Sequence, residues 1–329
     1  MNFSDIIGQK EVVAGLKEAL AHNRVGHAYG FAGPKGIGKK TVARIFAGAL
    51  LCDGNQFDGG CGECAPCRMY QNGSNPDFFV ISRPDSSIGV EDIRDLQSDI
   101  HIRPLYSKRK VYLITDADSM TVQAQNCLLK TLEEPPSYAV IILTVSGYTA
   151  LLETVRSRIL KIPFKKNTFE EVMGFLKERF GDLGDRAGFI AAYADGLIGT
   201  ALELAASDEF MQMRNRAFDL AMTMDKVKSA ELFDRVEFFE GYRENVGAVL
   251  NILSLAYRDL LMYKYSGREN VLINSDKKDI IVGNAPRFSP KKLADNIERI
   301  EQTRRSLEQN ANFQLAIEVL LMKLREDTV

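Results

Sequence analysis

The stretch Ala28-Tyr-Gly-Phe-Ala-Gly-Pro-Lys-Gly-Ile-Gly-Lys-Lys-Thr41 decides the fold. A short apolar run opens into a glycine-rich turn. Past Lys39 an amphipathic segment follows, with Val42, Ile45, Phe46, Ala49 and Leu50 at helical spacing. The reading is strand, phosphate-cradling loop, helix. Gly33 and Gly38 match G-x-x-x-x-G-K with Lys39 in register, and Gly36 lies between them. Backbone N–H groups of such a loop hold nucleotide phosphates, and the lysine reaches the β- and γ-phosphates. The next residue normally supplies a hydroxyl to Mg²⁺. Here it is Lys40, whose ammonium only donates. Thr41 is one residue further, roughly 100° round the helix, and poorly aimed at the metal. Two alternatives stand: a nucleotide-driven motor, or a relative that has given up part of the chemistry.

Outward from this loop, the apolar runs Phe78–Ile81, Val111–Ile114 and Val140–Thr144 read as three more buried strands. Helical patterns separate them: residues 1–25 before the first strand, Glu91–Ile100, and a long helix from Ser119, its expected cap, to Pro135-Pro136. Strands alternating with helices imply an α/β domain with a parallel sheet covered on both faces. Past Lys165 the strand signals stop. Residues 165–206 read as a small helical module and 207–329 as an all-helical domain, interrupted chiefly at Asn274–Ser289. The first domain is then 1–164.

The third strand of this pattern bears on the metal. A motor ends it with Asp-Glu, for Mg²⁺ and the attacking water. This chain has Thr115-Asp116, with Asp118 close behind as a further carboxylate. The bland reading is that Asp116 caps a loop.

Cys52, Cys61, Cys64 and Cys67 crowd into residues 52–67, among Gly and Asp residues that cannot build an apolar core. Four thiolates complete a tetrahedral structural zinc site, and the metal would order the loop. Cys127, beside Leu128 and Leu129, reads as a small core residue, and His27 as structural. Arg156 and Arg158, beyond the fourth strand and a short helix at 151–158, are either surface charges or candidates for an arginine finger aimed at a neighbouring subunit. Arg103, Lys108, Arg109 and Lys110 make a basic loop that a nucleic-acid binder could use.

The bulk composition narrows the classes. With 42 basic and 44 acidic residues the formal charge is −2, which excludes a strongly basic nucleic-acid binder. The opening Met-Asn-Phe-Ser-Asp lacks a signal-peptide pattern, and no uninterrupted apolar run approaches membrane-spanning length. The expectation is a cytoplasmic protein without a membrane partner.

Taken together, His27-Ala28-Tyr29, the 33–41 loop, the cysteine cluster, Asn75-Pro-Asp77, Leu128-Leu-Lys-Thr-Leu-Glu-Glu-Pro-Pro136, Arg156-Ser-Arg158 and Asn312–Leu321 resemble the clamp-loader subunits of bacterial DNA polymerase III. The family contains motors, gamma and tau, which carry Gly-Lys-Thr or Gly-Lys-Ser, Asp-Glu and an arginine in the helical lid. Lys40, Thr115 and, at the lid position, Gly199 all depart from the motor pattern, which places the chain with the family's non-motor member. The resemblance implies an AAA+ P-loop domain, a helical lid and a helical collar that joins a hetero-pentameric ring with gamma/tau and delta subunits. It also implies a sliding clamp and primed DNA as partners through that ring. ATP and Mg²⁺ in the chain's own site become doubtful. Arg158 sits where the family's Ser-Arg-Cys motif puts a finger that acts in trans, with Ile159 in place of the Cys.

Overall fold

The computed structural model describes residues 2–54, 57–184, 186–227 and 232–326. The helical reading across 228–231 and beyond 326 falls outside the described residues. The chain divides into two compact units, 1–175 with 195–200, and 176–194 with 201–329.

In the first unit, α1 (Lys10–Ala21), β1 (Ala28–Ala32), α2 (Lys39–Leu51), α3 (Ala65–Gln71), β2 (Phe78–Ile81), α4 (Val90–Ile100), β3 (Lys110–Ile114), α5 (Val122–Glu133), β4 (Ala139–Val145), α6 (Glu153–Arg156) and β5 (Leu160–Pro163) follow in order. The five strands form one parallel sheet in the order β2-β3-β4-β1-β5. The central strands β1, β3 and β4 are buried along their whole length, which is why they read as unbroken apolar runs. Their residues alternate between two cores. Tyr29, Phe31, Val111, Leu113, Val140 and Ile142 pack against α1 and α2, while Tyr112, Ile114, Ile141 and Leu143 pack against α4 and α5.

The edges depart from the sequence reading. Strand β2 was expected to be buried, yet it is an edge strand and only half covered. The unforeseen fifth strand, Leu-Lys-Ile-Pro, is the opposite edge, and Leu160 is 55% exposed. Pro163 is tolerated there because an edge strand has backbone groups that need no partner. The helix expected over 151–158 is shorter, and Thr121 rather than Ser119 caps α5, its Oγ1 accepting from Ala124 N at 3.1 Å. Ser119 instead ends a 3₁₀ turn.

Helix α7 (Phe169–Phe180) and α9 (Ile198–Ala206) have residues in both units. The second unit holds α8 (Arg186–Ala194), α10 (Asp208–Thr223), α11 (Leu232–Gly241), α12 (Val246–Ser266), α13 (Lys278–Asn284), α14 (Pro290–Glu308) and α15 (Phe313–Arg325). Helix α13 lies inside the stretch read as an interruption, and Ile281 is the residue it buries. The helical stretch Arg243–Ser266 is long and apolar enough to cross a membrane by length and composition, but Arg258 and Asp259 interrupt its apolar run. Its Val249, Leu250, Ile252, Leu253, Tyr257 and Leu260 are core residues of this unit.

A buried polar chain ties this helical unit together. Asp259 accepts hydrogen bonds from Ile273 N and Asn274 N at 3.0 and 2.7 Å. Asn274 Oδ1 accepts from Arg214 Nη2 at 2.7 Å, and Arg214 forms a two-pronged pair with Asp276 at 2.6 and 2.7 Å. The fully buried Arg214 guanidinium also stacks 4.1 Å from the Phe189 ring centre. Removing one partner leaves buried charge uncompensated. Arg214→Ala should therefore lower unfolding free energy by about 3–5 kcal/mol, read by urea denaturation; a loss within the range of a surface ion pair would show that the network is not structural.

Candidate functional site

The glycine loop closes on itself. Gly36 and Gly38 take φ of +81° and +98°, a backbone region that side-chain-bearing residues rarely enter, and this bends 33–38 into the start of α2. Lys39 is 5% exposed, and its Nζ donates to the carbonyls of Gly33 and Pro34 at 2.5 and 2.9 Å. Burial pulls its ammonium below the ordinary lysine range, against the opposing pull of Asp118 and Asp116.

The metal positions are altered in a linked way. Lys40 Nζ lies 2.6 Å from Asp116 Oδ2. Thr115 is 4% exposed and directs its hydroxyl to Ile81 O at 3.4 Å. Asp116 is held in the left-handed region at φ 50°, with its N–H donating to Thr144 Oγ1 at 3.0 Å. Asp116 therefore pairs with Lys40 rather than merely capping a loop. Asp118 Oδ1 accepts from Ser146 N at 3.3 Å. Thr41 is half-buried, and no side-chain contact joins it to either aspartate. The oxygens near the metal position are a buried hydroxyl, a carboxylate paired with Lys40 and the Asp118 carboxylate. This set lacks the hydroxyl after the lysine and the Asp-Glu pair of a motor's Mg²⁺ site.

The start of α9 seals the loop from outside. Gly199 N donates to Gly36 O at 2.7 Å. A Cβ at Gly199 would fall 2.9 Å from Gly36 O and 3.0 Å from Gly36 Cα. Any side chain there, an arginine included, collides with backbone.

The cysteines converge as the spacing predicts. All four sulfurs lie within 4.8 Å of one another, and Cys61 Sγ is 3.9 Å from Cys67 Sγ. A zinc–sulfur bond of about 2.3 Å in a tetrahedron sets sulfurs ~3.8 Å apart, so the set fits zinc. Cys52 and Cys67 are buried. Cys52 Sγ accepts from Gly54 N and Cys61 N at 3.2 and 3.3 Å. Cys64 N donates to Cys61 Sγ at 3.3 Å, and N–H groups of Cys64 and Glu63 hold the Cys61 thiol down at about 6. Burial instead pushes Cys67 up to about 12, a cost that a bound cation would offset. Gly60, at φ +105°, leaves no room for a side chain, since a Cβ would sit 3.0 Å from Cys67 Sγ.

Arg158 is half-buried and paired on its own domain. Its Nη2 pairs with Glu133 Oε1 at 2.7 Å, and its Nη1 donates to Thr154 O and Ser157 Oγ at 2.9 and 3.2 Å. Arg156 turns inward, with Nε buried. The segment beneath them is fastened by Gln125, a buried residue of α5. Its Oε1 accepts from Leu152 N at 2.7 Å, and its Nε2 donates to Ala150 O at 3.4 Å. Sequence reasoning gave Gln125 no role; an amide three and four residues from Val122, Leu128 and Leu129 was the available signal. Glu133 entered only as part of the 128–136 run and was given no role.

The basic loop does not assemble. Lys110 is buried in β3 and paired with Asp99 at 2.9 Å. Arg109 donates to Asn23 Oδ1 and Lys108 to Asp53 O, both at 2.9 Å, which leaves Arg103 outward. Asp77 shapes this loop by accepting from the backbone N–H of Leu105, Tyr106 and Ser107 at 2.7–2.8 Å. His27 contributes a carbonyl to Ile141 N at 2.9 Å while its side chain is exposed. Cys127 packs against the core half-buried, with Sγ 3.2 Å from Gln97 Oε1.

For the cysteine cluster, Cys64→Ser should cut bound zinc from about one equivalent to near none and open residues 52–67 to proteolysis. A full equivalent retained in that variant, measured by atomic absorption, would exclude the four-thiolate site.

The comparisons with known proteins agree with this geometry. A family described as "DNA polymerase III, delta subunit" matches residues 8–168, and "DNA polymerase III, delta subunit, C terminal" matches 208–326. The delta-prime subunit of DNA polymerase III from Bacillus subtilis is 29% identical over 326 residues, covering 97% of this chain and 96% of that one. The tau subunit of the same organism is 35% identical over 207 residues, which is 61% of this chain but 37% of the relative. The chain thus spans little more than a third of that relative. A gamma-subunit-related protein of Thermotoga maritima has a similar fold, with a TM-score of 0.53 at 19% identity, covering 95% of this chain and 98% of the other. Matched at both ends by the same family and along nearly its whole length by a delta-prime subunit, the chain belongs to the clamp-loader subunits of DNA polymerase III, on the delta-prime branch.

Proposed function

We propose that this chain is the stator of a DNA polymerase III clamp loader: it helps load the sliding clamp onto primed DNA without hydrolysing ATP itself. Within a hetero-pentameric ring with gamma/tau and delta subunits, residues 1–164 would form the AAA+ domain, 165–206 the lid and 207–329 the collar. Arg158 is its contribution to catalysis, reaching the nucleotide of an adjacent motor subunit. Zinc at Cys52, Cys61, Cys64 and Cys67 is structural in this reading, and the protein works in the cytoplasm, where replication takes place.

The observation that carries the reading is the contact of Lys40 with Asp116 at 2.6 Å. A motor needs that position for a metal ligand, and an ammonium cannot be one. Its salt partner, Asp116, is the carboxylate next to Thr115. The alternative of an ATP-hydrolysing motor lacks a ligand set for Mg²⁺, and the nucleic-acid reading loses its basic patch once Lys110 is buried.

Phosphoryl transfer spreads negative charge over the equatorial oxygens of the moving group, and a guanidinium delivered from a neighbour stabilises it. Elsewhere such fingers are worth ~10³–10⁵ in rate at the site they serve. The Arg158 side chain is 36% exposed, on a segment whose Leu152 N donates to Gln125 Oε1. Arg158→Ala in the reconstituted loader should abolish clamp- and DNA-stimulated ATP turnover at the adjacent site while the ring still assembles. Arg158→Lys should not restore it, because a lysine cannot reproduce the planar fork. Undiminished turnover in Arg158→Ala would remove the finger role.

A further inference from the structure

We infer that Glu133 is a positioning residue for the reaction in the neighbouring site: its carboxylate fixes the direction in which Arg158 is presented. This rests on reading Arg158 as the finger.

Glu133 stands where a helix least accommodates it. It is the last residue of α5, followed by Glu134, so two carboxylates sit at the negative end of the helix dipole. The Arg158 guanidinium answers that charge at 2.7 Å. Both side chains are substantially exposed, at 36% and 50%, and an ion pair this exposed adds little to stability. Its effect is on direction instead. An arginine has long, freely rotating bonds, and an untethered one samples many rotamers. Here three groups hold the guanidinium: Glu133 Oε1 pairs with Nη2, while Thr154 O and Ser157 Oγ accept from Nη1. Two of them belong to the finger's own segment, so Glu133 alone references the guanidinium to the body of the domain.

Helix α5 makes that reference rigid. Near its start, Gln125 is buried and bonded to the backbone at 150 and 152, the base of the finger segment. At its end, Glu133 holds the tip. One helix thus clamps the segment at two points about 12 Å apart along its axis, at 1.5 Å per residue. Val155, fully buried between them, closes off rotation of the segment about those anchors.

The test compares Glu133→Gln and Glu133→Ala with Arg158→Ala and with each double variant, all in the reconstituted loader, after assembly is confirmed by gel filtration. Misplacing a catalytic group costs on the order of tenfold or more. Both Glu133 variants should lower kcat at the adjacent site by about that factor with KM for ATP unchanged, and Glu133→Asp should recover part of it. Added to Arg158→Ala, neither should cause further loss, since the carboxylate acts only through the arginine. If Arg158→Ala is itself silent, the finger reading fails. Wild-type or raised turnover in Glu133→Gln beside a defective Arg158→Ala would overturn the positioning role alone. So would a loss that adds fully to that of Arg158→Ala.

Discussion

The ammonium of Lys40, 2.6 Å from Asp116, is the contact on which the rest of this site depends. In energy it is modest; an exposed pair of this kind is worth up to about 1 kcal/mol. Its weight is chemical. It replaces a ligand oxygen with a cation and neutralises the nearest remaining carboxylate, so two requirements for Mg²⁺ disappear through one side chain. Beside it Lys39 places its donors on the carbonyls of Gly33 and Pro34. Gly199, in turn, lets the first turn of α9 rest directly on Gly36. Each change makes the next tolerable, and together they convert a nucleotide loop into a packed corner.

A packed corner suits a subunit that acts on a neighbour. The parallel sheet places the loop and the 116–119 turn at the carboxyl ends of β1 and β3, as in nucleotide-binding α/β folds. From that turn, α5 runs to Glu133 and so to Arg158. A motor would use nucleotide to order this region. Here ion pairs and hydrogen bonds within the chain hold the region, Lys40 with Asp116 at one end of α5 and Arg158 with Glu133 at the other. At the end of α2, four converging cysteines that could hold a metal stand in a Gly- and Asp-rich segment that cannot form an apolar core.

Much of this was legible in the sequence because it is local. The strand–loop–helix of 28–51, the three further apolar strands and the four-cysteine spacing are short-range patterns, and all appear in the fold. What the sequence hid depends on neighbours distant in the chain. Strand β5 is a four-residue edge with exposed side chains, so no apolar run marks it. Strand β2 has an apolar sequence but an open flank, which composition alone cannot reveal. Lys110 looks like its basic neighbours until Asp99 is seen to bury its charge. The same holds at the site: Lys40, Thr115 and Gly199 were readable as departures, whereas the pairing of Lys40 with Asp116, and of Glu133 with Arg158, bridges 76 and 25 residues.

Magnesium-ATP titrated into the purified chain by calorimetry, with phosphate release followed in parallel, addresses the central claim most directly. The closed loop and the Lys40–Asp116 pair predict no saturable magnesium-dependent binding and no turnover above background. Stoichiometric binding with steady hydrolysis, lost on Lys39→Ala, would show that the loop still opens and that the chain is a motor after all.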